Sequence, residues 1–340
     1  MIQTVKGRIA PEQLGKTMTH EHFLWDQRCW WKGEPDELSL REFVHQEVKI
    51  ENLGMLRYHA HQNLDNIVQL NVALAIEEAS FFKMAGGSSI VDATSIGIGR
   101  APEALLAISE MTGLNVIMGA GYYVSASHPA EIRNLDKFRI AEKIINEFNK
   151  GVKDTGIKPG IIGEIGVADV NNPEEVKVLQ AAAIAHKEVG APIFIHPPIF
   201  ETKGHEILDI LESEGADPAK VVMCHCDPTL DKPEYHDSIA KRGAYIEYDQ
   251  FGLEIMALEG FFLPRDIERI RAIQRQIVNG NLTKIVISQD VCFKTCLIKY
   301  GGWGYGHILR DIIPLMRKEG FTDNDLDAIL IENPKRILGS

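Results

Sequence analysis

Long apolar runs are missing from this chain of 340 residues. None approaches the roughly 18 consecutive residues that cross a bilayer, and Met1-Ile2-Gln3-Thr4-Val5-Lys6 has no apolar core of the secretory-leader kind. Positive charge is in deficit: 36 Lys and Arg face 48 Asp and Glu, a net charge of -12, which argues against nucleic acid or an anionic membrane as the partner. Cysteine is sparse and odd in number, so Cys29, Cys224, Cys226, Cys292 and Cys296 are expected to be reduced thiols rather than a disulfide framework. No linker, low-complexity tract or composition shift divides the chain, and residues 1–340 read as one domain. The expectation is a soluble cytoplasmic protein that acts on a small molecule, with a homodimer admissible.

What the chain does have is a repeated alternation. Short apolar strands are expected at Thr17–His22, Ser88–Thr94, Asn115–Tyr123, Gly160–Val167, Pro192–His196, Val221–Asp227, Ala244–Gln250 and Lys284–Asp290. Helical stretches follow them, with Pro102 and Gly113 bounding one and Asn172-Pro173 opening another. Ser39 with Glu42 reads as a capping box in the long excursion after the first strand. Eight strand–helix units are the number that closes a (β/α)8 TIM barrel, here with an enlarged first loop. An open doubly wound sheet is disfavoured, because no Gly-x-Gly-x-x-Gly follows the first strand.

In such a barrel the chemistry sits at the C-terminal ends of the strands. His20 and His22 end the first strand and, two apart, face the same side while Glu21 faces the other. Glu164 lies on the fourth strand, His196 ends the fifth, His225 lies on the sixth and Asp290 ends the eighth. Four imidazoles and two carboxylates at one mouth are ligands for two divalent metal ions with a bridging carboxylate. Zinc suits this nitrogen and oxygen set best, with manganese or cobalt as alternatives. Cys224 and Cys226 flank His225, so alternation places both thiols on the opposite face as packing residues, with no thiolate turned inward. His45, His59, His61, His186, His205 and His236 fall in helical stretches, where solvated or capping roles are expected.

Taken in order, Thr19-His20-Glu21-His22, Gly163-Glu164-Ile165-Gly166, His196, His225-Cys226-Asp227, Asp290, Gly301-Gly302-Trp303-Gly304-Tyr305 and Glu332-Asn333-Pro334 resemble the amidohydrolase superfamily, and within it the phosphotriesterase-like group. The resemblance implies that His20, His22 and Asp290 hold the more buried ion, that His196 and His225 hold the more exposed one, and that Glu164 bridges them as in the glutamate-bridged branch. Tyr123 resembles a pocket tyrosine of lactonase relatives, although Tyr122 is an equal candidate for facing the metals.

The implied activity is hydrolysis by a metal-bridging hydroxide, with Asp290 moving the proton. A small lactone or carboxylic ester is the first expectation. An N-acylated small molecule opened at its amide is the second, and phosphotriester hydrolysis is a side activity. A barrel that only retains metal belongs to a different class, disfavoured because all six ligand positions are filled. Residues 291–310 contain no acid but do contain Lys294, Lys299 and Arg310, so Lys294 or Lys299 is expected to engage an anionic substrate.

Overall fold

The computed structural model describes residues 1–254, 256–258 and 260–339. Its main sheet has eight strands: Thr17–Glu21 (β1), Ser89–Asp92 (β2), Asn115–Ala120 (β3), Ile161–Gly166 (β4), Ile193–His196 (β5), Val221–Met223 (β6), Tyr245–Tyr248 (β7) and Ile285–Ile287 (β8). Each pairs in parallel with the next in chain order. The seam between β8 and β1 is closed at the catalytic end by Asp290 N donating to His20 O (3.2 Å) and His20 N donating to Ser288 Oγ (3.0 Å). The fold is the (β/α)8 TIM barrel.

The strands are apolar on both faces because both faces are covered. Inside the barrel Val91, Ile117, Ile161, Phe194, Val222 and Val286 meet in a closed cluster that also takes in Ile2, Leu14 and Ile337 from near the chain ends. On the outside Ile90, Val116, Met118, Ile162, Ile193 and Ile195 pack in the larger cluster shared with the helices. Each such side chain contributes roughly 1.5–3 kcal/mol when fully buried. Around the sheet lie Val72–Met84 (α1), Pro102–Thr112 (α2), Lys137–Lys150 (α3), Pro173–Val189 (α4), Gly204–Ser213 (α5), Pro233–Lys241 (α6), Asp266–Val278 (α7) and Ile313–Lys318 (α8), the last entered through a π turn. Helix α4 shows the local logic: Asn172 Oδ1 accepts from Glu174 N (2.9 Å), proline follows it, and left-handed Gly190 ends the helix. Asn333 of Glu332-Asn333-Pro334 donates to Leu282 O (2.8 Å) and Ile285 O (2.7 Å), tying the C-terminal helix to the start of β8.

The enlarged first loop is pinched at its base by Trp25–Asp26 pairing antiparallel with Val68–Gln69, and Phe43, Val48 and Leu56 form a small core of its own. The capping box expected at Ser39 is not made. The helix there, Leu38–Val44, has Glu37 at its N-cap, and Ser39 Oγ instead bonds Glu37 Oε1 (2.6 Å). Among the described residues no helix is long and apolar enough to cross a membrane.

Two of the helical histidines, for which solvated or capping roles are expected, are buried. His186 bonds Ala191 O (2.7 Å) across the end of α4, and His236 lies between Thr229 Oγ1 and Tyr248 Oη, each 2.9 Å away. Both answer a backbone or hydroxyl group that helix periodicity does not reveal.

Candidate functional site

Regular strand geometry is interrupted beside four of the six candidate ligands. Strand β1 gains one residue on β2 between Met18 and Glu21, bracketing His20, and β4 gains one on β5 between Ile162 and Ile165, bracketing Glu164. His225 and Asp290 both adopt left-handed backbone, with φ of 53° and 48°. Bulges and left-handed residues re-aim side chains at a cost of roughly 1 kcal/mol or more each, and they persist where neighbours over-determine them. The neighbours here do so. Asp249 accepts from His225 N (2.9 Å) and faces His225 Nδ1 (2.8 Å), while Glu21 takes four donors: Ser288 Oγ, Gln289 N, Gln289 Nε2 and Val291 N, at 2.7–2.9 Å. Glu21, turned away from its two flanking histidines, thus anchors the backbone on both sides of Asp290.

The glycines of Gly163-Glu164-Ile165-Gly166 are explained by space. Gly163 has φ of 135°, and a Cβ on it would lie 2.5 Å from Phe194 O. A Cβ on Gly166 would lie 2.2 Å from Val124 N and 2.4 Å from the Tyr123 carbonyl carbon. Only glycine lets the chain at Tyr123 approach β4 so closely, and that approach delivers the Tyr123 ring to the centre.

The six expected ligands converge. Glu164 Oε2 is 3.6 Å from His20 Nε2, 3.3 Å from His196 Nδ1 and 3.4 Å from His225 Nε2, and its Oε1 is 3.5 Å from His22 Nε2. Asp290 Oδ1 lies 3.3 Å from His22 Nε2 and 3.9 Å from His20 Nε2. Among the described residues three compact groups of possible metal ligands emerge, all sharing His20: one with His22 and Asp290, one with Glu164 and His225, and one with Cys224, Glu247 and Asp249. His196 faces Glu164 from the cavity side, its side chain slightly more exposed than the other three imidazoles.

A cation fits this donor set. Both ring nitrogens of fully buried His20 lack a hydrogen-bond partner among the described residues, and an ion would relieve that cost at Nε2, the nitrogen that faces Glu164 and Asp290. Ligand separations of 3.3–3.9 Å are what donors each about 2.0–2.2 Å from a shared ion would show. Electrostatics agree. Burial pushes the Glu164 carboxyl up, but His20, His196 and His225 outweigh it and hold it well below the usual carboxylate range. Asp290 is also held down, its burial opposed chiefly by His22 and His20. Burial pushes the His20 imidazole down while the Glu164 charge carries it well above its ordinary value, and Asp249 does the same for His225. Burial, with the neighbouring His225, holds His196 below its ordinary value, so positive charge is favoured at His20, His22 and His225 but not at His196.

Second partners fix the rings. His22 Nδ1 meets Thr94 Oγ1 at 2.9 Å, and His20 Nδ1 faces Glu247 Oε2 at 3.5 Å and Asp249 Oδ2 at 3.6 Å. One expectation fails here: Cys224 does face inward, grouped with His20, Glu247 and Asp249, whereas Cys226 packs in the outer core. Strand β6 ends at Met223 and left-handed His225 breaks the alternation on which the opposite placement depended.

Behind Asp249 runs a fully buried ion network. Asp249 N donates to Asp227 Oδ2 (3.0 Å), Arg269 Nε donates to Asp227 Oδ1 (2.6 Å), and Arg269 Nη1 donates to Asp266 Oδ1 (2.9 Å). Removing the guanidinium leaves the Asp227 carboxylate without its cation, while Asp266 keeps His307 Nε2 and Gly252 N, each 2.8 Å away, and breaking a buried pair this way costs about 3–5 kcal/mol. Arg269→Met is therefore expected to lower the unfolding free energy by about that amount in urea titrations of the metal-loaded protein. A change below about 1 kcal/mol would show that the network is not what holds Asp227 and Asp249.

Above the centre opens a cavity of about 420 Å³. His196, His225, Asp290 and Tyr123 line it, with Trp30, His61, Phe200, Leu258, Phe261 and Phe293 among its walls. Tyr123 Oη lies 3.2 Å from His196 Nδ1 and 3.3 Å from Trp30 Nε1, whereas the Tyr122 ring packs edge-on to His128 at 6.1 Å, so Tyr123 is the tyrosine at the centre. Lys294 and Lys299 do not line the cavity. Lys294 Nζ is paired with Asp65, and Lys299 is exposed, its backbone N bonded to Glu78 Oε1 (2.9 Å). The acids that answer this loop come from the first loop and α1, and among the described lining residues none is Lys or Arg. Sequence reasoning missed His61, stacked on Trp30 at 6.3 Å and tilted against Phe293 at 5.1 Å, because a 3-10 turn of the first loop carries it to the barrel mouth.

Comparison with known proteins places this geometry. The phosphotriesterase family model matches residues 1–338. The chain is 39% identical over 343 residues to N-acetyltaurine hydrolase of Homo sapiens, covering 99% of this chain and 97% of that one. Among solved structures, a resiniferatoxin-binding protein from Rhodobacter sphaeroides superimposes with a TM-score of 0.97 at 39% identity, covering 99% of this chain and 94% of that one. A lactonase from Listeria monocytogenes gives 0.80 at 26% identity, covering 99% and 98%.

Proposed function

This chain belongs to the phosphotriesterase family and is a hydrolase, and from that premise we propose that it opens the amide bond of an N-acylated small molecule at a centre of two divalent metal ions. The observation that carries the metal-dependent reading is the single Glu164 carboxylate facing four imidazoles at 3.3–3.6 Å, the arrangement a bridging ligand requires. His20, His22 and Asp290 would hold one ion, His196 and His225 the other, with zinc the best match and manganese or cobalt the alternatives. When bound, the ions supply Lewis acidity and bring the pKa of water toward about 7.

The chain's own groups do the rest. Asp290, a carboxylate at the cavity floor, takes the proton of the attacking water and hands it to the leaving nitrogen. Tyr123 offers its hydroxyl toward the carbonyl oxygen from beside His196. The aromatic walls of Trp30, Phe200, Phe261 and Phe293 take the apolar part of the substrate and exclude water from it. Amide is placed before lactone because relatives named N-acetyltaurine hydrolase share 36–39% identity with nearly the whole chain, against 26% for the lactonase structure above. That reverses the order expected from the sequence. Lactone opening remains the second reading, supported by the 0.80 superposition on that lactonase.

The test is a panel on the metal-loaded protein, reading amine release from N-acyl amino acids and N-acyl amino sulfonates against ring opening of sugar and acyl-homoserine lactones. Amide turnover with kcat/KM within the usual enzymatic range of about 10⁴ M⁻¹s⁻¹ or above supports the proposal. Turnover of lactones alone transfers it to the second reading. The loss of Lys294 and Lys299 from the cavity removes the argument for an anionic substrate, so neutral analogues belong in the panel.

A further inference from the structure

The loop that carries Tyr123 is held from outside the barrel by the first turn of helix α4. Bonds to the barrel backbone run out just before this residue: Ile96 N donates to Gly121 O (3.0 Å) and Gly166 N to Tyr122 O (3.3 Å). The next carbonyl, that of Tyr123 itself, accepts from His128 Nε2 (2.7 Å), and His128 Nδ1 meets Glu174 Oε1 (2.7 Å). Both partners are acceptors, so the ring bridges them by donating from each nitrogen. Tyr123 and the His128 side chain are both buried, and a buried carbonyl that loses its donor costs about 1–3 kcal/mol. Glu175 acts beside this bridge. It is fully buried, and its carboxylate accepts from Ser125 N (2.8 Å) on the Tyr123 loop and from Ala168 N (2.8 Å) and Asp169 N (3.0 Å) just past β4. Asn172 Nδ2 adds a bond to Ser125 Oγ (3.0 Å). One helix end, whose dipole favours carboxylates, thus ties together the two loops that bring Tyr123 and Ala168 to the cavity, while His128, Glu174 and Glu175 do not line it. At the other end of the same tyrosine, Oη lies 3.2 Å from His196 Nδ1 and accepts from Trp30 Nε1 at 3.3 Å.

We propose that His128 and Glu175 are positioning residues for the reaction: by gripping the backbone at Tyr123 and Ser125 they fix where the Tyr123 hydroxyl stands beside His196. The inference rests on reading Tyr123 as the group that meets the substrate's carbonyl oxygen, whether that carbonyl belongs to an amide or a lactone. A donor aimed at charge that develops in the transition state has to be held within about 0.5 Å of its productive place. A misplacement of about 1 Å can cost about 10²-fold in rate. The peptide that carries the Tyr123 ring lies past the last of those barrel backbone bonds, so the grip of α4 on it sets the position of the hydroxyl.

The experiment is a double-variant cycle on the metal-loaded enzyme, with an N-acyl amino acid as substrate, or an acyl-homoserine lactone if only lactones turn over. His128→Ala, and Glu175→Gln, which turns an amide group toward backbone N–H donors, are each made alone and together with Tyr123→Phe. Each alone is expected to lower kcat about tenfold with KM held within about twofold, and Tyr123→Phe to lower kcat about tenfold or more. On the Tyr123→Phe background the same substitutions are expected to cost less than about twofold, because a ring without its hydroxyl has no contact left to misplace. His128→Gln, which keeps a donor for Tyr123 O, is expected to restore much of what His128→Ala loses. Equal losses on both backgrounds overturn the proposal, as does a Tyr123→Phe enzyme with wild-type kcat. A crystal structure of His128→Ala gives a reading independent of turnover: the Tyr123 hydroxyl is expected to move from His196 by about 1 Å or more, and one that stays within about 0.5 Å of its place overturns the proposal. Glu175→Gln carries the same measurements if His128→Ala does not fold. Turnover of lactones alone would sink the amide reading, and the cycle run on the lactone would still decide the role of His128 and Glu175.

Discussion

Asp290→Asn is expected to lower kcat by about 10³ while leaving the barrel folded, because the substitution keeps the shape of the side chain and removes its ability to accept a proton. The geometry makes this residue unusual among the six ligands. It lines the cavity while its Oδ1 lies within 3.9 Å of both His20 and His22, so the same group faces both the cavity and the candidate ligands. Its backbone is left-handed and anchored through Glu21 on either side, so asparagine, which tolerates that conformation, should not relax the loop. Far-ultraviolet circular dichroism and the unfolding midpoint should match wild type. A variant that keeps more than about a tenth of wild-type kcat would remove Asp290 from the proton path and leave it only a ligand.

Glu164→Ala is expected to act differently, by releasing metal. One carboxylate faces four imidazoles, so its loss would leave no bridge between two ions and would take away charge that offsets them. The variant should retain less than half of the wild-type metal after gel filtration, and excess metal in the assay should recover little turnover. Glu164→Asp keeps the charge but shortens the reach, so intermediate metal retention is expected. Full occupancy in Glu164→Ala would show that the imidazoles and Asp290 hold the ions alone.

The barrel and its ligands were legible because the relevant signals are local and repeated. Strands covered on both faces are nearly all apolar, so runs such as Ile161-Ile162 and Ile193-Phe194-Ile195 stand out, and polar residues at their C-terminal ends mark the mouth. What alternation misjudged lies where the strands stop being regular. The extra residues beside His20 and Glu164 and the left-handed turns at His225 and Asp290 leave no mark in a periodic pattern, and Cys224 was assigned to the wrong face for that reason. Long-range partners were equally invisible. Lys294 read as a free cation because its loop holds no acid, yet its partner Asp65 is 229 residues away, in the first loop.

If Glu164 and the five side chains around it form a binuclear centre, the metal content of wild-type protein shows it most directly. Protein purified without chelators, supplemented with zinc and freed of excess by gel filtration, should carry about two ions per chain by elemental analysis, and dialysis against a strong chelator should remove both together with activity. A stoichiometry near zero, or one that stays at one ion per chain after supplementation, would contradict the account.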